Sequence, residues 1–135
     1  MNVVVFEDSI QDTLRLKELL KNHETKFFKS ISKGKDLNQA DLILLDMHLE
    51  DGEKGWDLLL QAHKIKTPIV VMTSFGEIKS AVKALHLGAK SYLEKPLQWE
   101  DLSPFLNPNL ETNWKKICFQ SNSPCATLVE ELNLL

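Results

Sequence analysis

The sequence predicts an α/β domain on a five-stranded parallel sheet, and three observations carry that expectation. Residues 42–45 are Leu-Ile-Leu-Leu, an unbroken aliphatic run ending at Asp46. It is too short for a helix and shows no in/out alternation, so it reads as a strand buried on both faces. Five apolar runs of strand length alternate with helical or turn segments through residue 106. That is the pattern of βα units joined by right-handed crossovers. Finally, four of the five runs end in residues able to do chemistry: Glu7-Asp8, Asp46, Thr73-Ser74 and Lys95.

The first strand is Val3 to Phe6, closed by Glu7 and Asp8. Ser9-x-x-Asp12 suits a capping-box helix start, and Ile10, Leu14, Leu16, Leu19 and Leu20 give that helix one apolar side to about Asn22. Residues 26–31 form a weaker strand near an edge, because charges flank its apolar pair. Only nine residues, 32–40, then separate it from Asp41. A parallel crossover needs about ten to twelve, so one helical turn or none is expected there. After Asp46 comes a polar loop, residues 48–54, in which Gly52 and Gly55 break the chain before a helix carrying Trp56, Leu59, Leu60 and His63. Pro68 introduces a strand over residues 69–72, ending at Thr73 and Ser74. Ile78, Ala81, Val82 and Leu85 mark the next helix, closed by Gly88 as its C-terminal cap. A short fifth strand, residues 90–93, precedes Glu94-Lys95-Pro96, and a final helix covers residues 98–106 with Pro104 inside it.

Bulk composition narrows the function. At 135 residues, 43% hydrophobic and 26% charged, the chain has the make-up of one soluble globular domain. A net charge of −3 gives no electrostatic reason for it to grip nucleic acid or an anionic membrane. No apolar run approaches the roughly 18 residues of a membrane span, and the N-terminus lacks a basic region and a cleavage site of signal type. Cys118 and Cys125 read as free thiols in a reducing compartment, so a cytoplasmic location is expected.

In a parallel sheet, the carboxyl ends of the strands lie on one edge, where such folds bind ligands. Glu7, Asp8, Asp46, Thr73 and Lys95 therefore converge. Three carboxylates repel one another unless a cation sits among them, and a hard divalent ion such as Mg²⁺ suits an all-oxygen donor set. Mg²⁺ keeps positions open for phosphate oxygens, which points to phosphoryl transfer. A carboxylate can be the nucleophile, with Lys95 neutralising charge on the phosphoryl oxygens and Thr73 donating a hydrogen bond to one of them.

The ordered set Glu7-Asp8, Asp46 after an aliphatic strand, Thr73-Ser74, Tyr92 and Lys95-Pro96 resembles the receiver domain of two-component response regulators over residues 1–106. The resemblance implies a flavodoxin-like (βα)5 fold: a doubly wound parallel five-stranded sheet of order 2-1-3-4-5, here with a shortened second helix. It implies that Asp46 is the phosphoacceptor, supplied by a histidine kinase or phosphotransfer protein. Glu7, Asp8, Asp46 and the backbone carbonyl of His48 would hold Mg²⁺, Thr73 and Tyr92 would form a switch pair, and Lys95 would contact the phosphate. The output face would be the fourth helix, fifth strand and fifth helix, and the protein would catalyse only its own phosphotransfer and dephosphorylation. Three features depart from the family pattern. Glu50 stands where Pro is usual, with one extra residue before Gly55; the second crossover is short; and Phe75 occupies an often polar position two residues beyond Thr73.

Other chemistries fit less well. A haloacid-dehalogenase-type phosphatase wants a second Asp where His48 stands, and the run Gly-x-x-x-x-Gly-Lys-Ser/Thr of a P-loop is absent from the sequence. A flavin site would want a phosphate-cradling loop where Glu7-Asp8-Ser9 stands. The alternative from another class is a receiver-like scaffold that binds partners without being phosphorylated. Residues 107–135 read as a linker or C-terminal extension, leading to an output domain or serving a self-dimer. Their last stretch, residues 119–135, faintly resembles the join between receivers and the ATPase domain of enhancer-binding transcription activators.

Overall fold

A computed structural model describes residues 1–34, 37–49, 52–74 and 78–106. The chain divides into two compact units, Met1–Gln98 and Trp99–Leu135. In the first, β1 (Asn2–Phe6), β2 (Glu24–Phe28), β3 (Leu42–Asp46), β4 (Ile69–Thr73) and β5 (Ser91–Glu94) form one sheet, ordered β2-β1-β3-β4-β5 with every pairing parallel. The expected order and edge position of β2 are thus observed.

The two central strands β3 and β4 are buried at every residue. Side chains alternate across a strand, so residues two apart share a face. Val4, Phe6, Ile43, Leu45, Ile69 and Val71 join one core cluster with Leu58, Leu59 and Ala84. These come from α2 (Gly52–Leu60) and α4 (Ile78–Leu87). Val3, Val5, Leu42, Leu44, Val70 and Met72 are equally buried, and Met72 lines one small cavity with Leu16 of α1 (Ile10–Leu19). Both faces of the sheet are therefore covered, as continuous aliphatic strands require. The second crossover holds only two 3-10 turns, Ile31–Lys33 and Leu37–Gln39. A short α3 (Ala62–Ile65) follows α2.

Three expectations are corrected. Ile10 and Leu14 are not on the buried side of α1: they are 75% and 62% exposed, while Leu16 and Leu20 supply the apolar anchor. Gly52 and Gly55 do not break the chain before a helix at Trp56; both lie inside α2. At Gly55 the reason is space, since a Cβ there would stand 3.3 Å from Met47 Sδ and 3.7 Å from a methyl of Leu45. Thirdly, α1 ends at Leu19, short of Asn22. Gly88 does cap α4, with φ 122°. Across the outer helices, the Lys83 ammonium sits 4.4 Å above the Trp56 ring and ties α4 to α2.

In the second unit, α5 spans Trp99–Leu106, with Glu100 and Asp101 in its first turn and Pro104 inside it. Among the described residues, no helix is long and apolar enough to cross a membrane. Phe75 and the extension 107–135, with both cysteines, lie outside the described residues.

Candidate functional site

The carboxyl ends of β1, β3, β4 and β5 bring the expected residues together. Asp46 is the last residue of β3 and only 3% exposed. Its Oδ1 accepts the His48 backbone N–H at 2.9 Å, and its Oδ2 accepts from Lys95 Nζ at 3.0 Å. Glu7 continues the β1 ladder by one bond, its N–H donating to the Phe28 carbonyl. The Glu7 side chain is buried, with Oε1 accepting from Ser9 N at 3.1 Å and Oε2 from Lys95 Nζ at 2.5 Å. Asp8 is exposed at the rim. One oxygen from each of Glu7, Asp8 and Asp46 lies within 4.8 Å of the others. Three carboxylates so placed form a donor set that suits a hard divalent cation.

Lys95 extends the β4–β5 ladder by donating its own N–H to the Thr73 carbonyl at 2.7 Å. The Lys95–Pro96 peptide is cis. Arg15 Nε donates to the Leu97 carbonyl at 2.7 Å, which ties the segment after Lys95 to α1. Thr73 is buried, with Oγ1 3.1 Å from His48 Nε2. Tyr92, half-buried on β5 opposite Val71, packs against the core cluster.

Charge in this pocket is unevenly matched. Burial pushes the Glu7 carboxyl up to about 7, and the neighbouring Asp46 charge adds to that. The Lys95 hydrogen bond and the Ser9 N–H pull the other way without winning. Burial alone would lower Lys95, but its hydrogen bonds to Glu7 and Asp46 hold it above the ordinary lysine range. The ammonium gains several partners for one charge, while the carboxylate loses water.

Two side chains emerge that sequence reasoning did not place in the site. Asp12 Oδ2 accepts from Lys95 Nζ at 3.1 Å. The motif Ser9-x-x-Asp12 signals a helix start, and Ser9 Oγ does accept the Asp12 N–H at 3.3 Å. However, Glu7 takes the Ser9 N–H that a capping box would give to Asp12, which leaves the Asp12 carboxylate to reach the lysine. The second is the His48 ring on Thr73; the resemblance implied a metal-binding role for the backbone carbonyl of His48 and no bond between the ring and Thr73. Neither contact has a sequence signal, since each joins residues far apart in the chain.

Comparisons with known proteins give the family and the fold. The family profile described as response regulator receiver domain matches residues 3–107. The cell cycle response regulator CtrA of Brucella ovis is 31% identical over 110 residues, covering 76% of this chain and 47% of that protein. The chain thus spans about half the length of the curated relatives it matches. A two-component response regulator from Clostridium difficile superposes with TM-score 0.67 at 28% identity, covering 82% of this chain and 96% of that one. The fold is shared with a response regulator protein from Burkholderia pseudomallei, solved with a phosphorylated aspartic acid, calcium ion and citrate. That structure gives TM-score 0.66 at 21% identity, covering 98% of this chain and 92% of that one. With the sheet order, the acid-ended strands and the matched residues in agreement, the chain belongs to the response regulator receiver domain family.

Proposed function

We propose that this domain accepts a phosphoryl group on Asp46 from a histidine kinase or phosphotransfer protein in the cytoplasm. The observation that carries this reading is the Asp46 carboxylate itself. It is buried at a strand end and fixed by Lys95 and by the His48 N–H, with Glu7 and Asp8 beside it. An Asp46 oxygen would form the new O–P bond as the P–N bond of a donor phosphohistidine breaks, its electron pair returning to the imidazole nitrogen. Mg²⁺ held by Glu7, Asp8, Asp46 and the His48 backbone carbonyl would screen the charge of the incoming group. Lys95 would move from carboxylate to phosphoryl oxygen, and Thr73 would leave the His48 ring to donate to another. Tyr92 would then turn toward the space that Thr73 vacates, changing the surface of α4 and β5. On this reading residues 1–106 are the receiver, and residues 107–135 lead to an output domain or support a self-dimer.

The test is incubation with Mg²⁺ and acetyl phosphate, read by intact mass. One phosphoryl group that is labile to hydroxylamine and absent in Asp46→Asn is expected. An unmodified wild-type protein would instead favour a receiver-like scaffold that works by binding alone.

A further inference from the structure

Lys95 has three N–H donors, and the structure gives each a carboxylate oxygen: Glu7 at 2.5 Å, Asp46 at 3.0 Å and Asp12 at 3.1 Å. The Lys95 side chain is 9% exposed, and the Asp12 side chain 30% exposed. Glu7 and Asp46 belong to the trio of acids that can share one cation; Asp12 does not. The Asp12 backbone is also held on α1. It occupies the first turn of α1, its N–H bound by Ser9 Oγ, and Arg15, three residues on, holds the Leu97 carbonyl just past Lys95.

We propose that Asp12 is a positioning residue for phosphoryl transfer: it is the anchor Lys95 keeps when Glu7 and Asp46 turn to a cation and a phosphoryl group. The inference rests on the reading of Asp46 as phosphoacceptor. A lysine ammonium sits on a flexible four-carbon stem, so a donor that loses two partners at once would search many rotamers. One charge-assisted hydrogen bond from α1 restricts that search and leaves two N–H groups free for phosphoryl oxygens. The Glu7 oxygen on Ser9 N–H makes this possible, because a capping box in the usual form would turn the Asp12 carboxylate away from the lysine.

The experiment compares wild type, Asp12→Ala, Asp12→Asn and Asp12→Glu in the full chain with saturating Mg²⁺. The phosphorylation rate from acetyl phosphate should fall about tenfold in Asp12→Ala, less in Asp12→Asn, which keeps an acceptor, and recover in Asp12→Glu. Mg²⁺ affinity, measured by calorimetry, should change less than about threefold, because Asp12 is outside the acid trio. The ¹H–¹⁵N signal of the Lys95 ammonium should be observable with Mg²⁺ bound in wild type and lost to solvent exchange in Asp12→Ala. A normal rate together with an unchanged Lys95 signal in a folded Asp12→Ala protein would overturn the proposal. If wild type is never phosphorylated, the reading of Asp46 fails, and the ammonium signal still decides whether Asp12 holds Lys95.

Discussion

Glu7→Gln isolates the cost of keeping a buried carboxylate charged. Glu7 moves from an ordinary 4.5 to about 7 in the folded protein, chiefly because burial strips its water. A group whose pKa rises on folding stabilises below its unfolded value, and that stability is lost as pH climbs through the folded value. The window is therefore about pH 4.5 to 7. At about 1.4 kcal/mol per pH unit, the metal-free wild type should lose at most about 3 kcal/mol across it relative to Glu7→Gln. The quantity to read is the difference between the two proteins. Urea unfolding in EDTA at half-unit steps from pH 4.5 to 8 gives it. Glu7→Gln removes the charge and keeps one acceptor oxygen where Glu7 uses two, for Ser9 and Lys95, so its own offset is a cost that should be nearly constant with pH. A difference curve that stays flat, or that rises in favour of wild type, would refute the claim that burial dominates at Glu7. In wild type, Mg²⁺ affinity should rise with pH through the same window, because a cation binds the ionised carboxylate.

Two further outcomes follow from exposed and crowded positions. Ile10→Ser with Leu14→Ser should slow phosphorylation by a protein donor at least about tenfold while leaving the acetyl phosphate rate unchanged. The two side chains are exposed and four residues apart on α1, an apolar pair that a protein donor would cover and a small phosphodonor would not need, and urea midpoints should barely move. Gly34→Ala should cost about 2 kcal/mol, lowering Tm by roughly 10 °C, because the new Cβ would stand 2.6 Å from a ring carbon of the fully buried Phe6; an unchanged Tm would mean that the ring can shift.

The fold was legible because parallel strands buried on both faces leave a plain mark. Leu42 to Leu45 and Ile69 to Met72 show no alternation, and each ends in a polar residue at the site edge. Glu7, Asp8, Asp46, Thr73 and Lys95 were readable for the same reason: strand ends in such a sheet share an edge, so chain position fixes spatial position. Helix faces were harder. Ile10 and Leu14 have helical spacing but sit in water, since spacing tells which residues share a side and not which side is covered. Gly52 and Gly55 looked like breakers because propensity favours that reading, but both lie in α2, and at Gly55 the close approach of Met47 favours a residue without a side chain. Asp12 and the His48 ring were out of reach, as their partners, Lys95 and Thr73, lie 83 and 25 residues away.

The Lys83 ammonium over the Trp56 indole gives the molecule an optical gauge of its own. A positive charge on the ring face alters the emission of an indole, and the two residues belong to different helices, α4 and α2. Any event at the acidic pocket that shifts α4 would change the light from Trp56 without a label. With Trp99 and Trp114 replaced by Phe, the remaining indole would follow α4 in real time, and Lys83→Met would supply the dark reference.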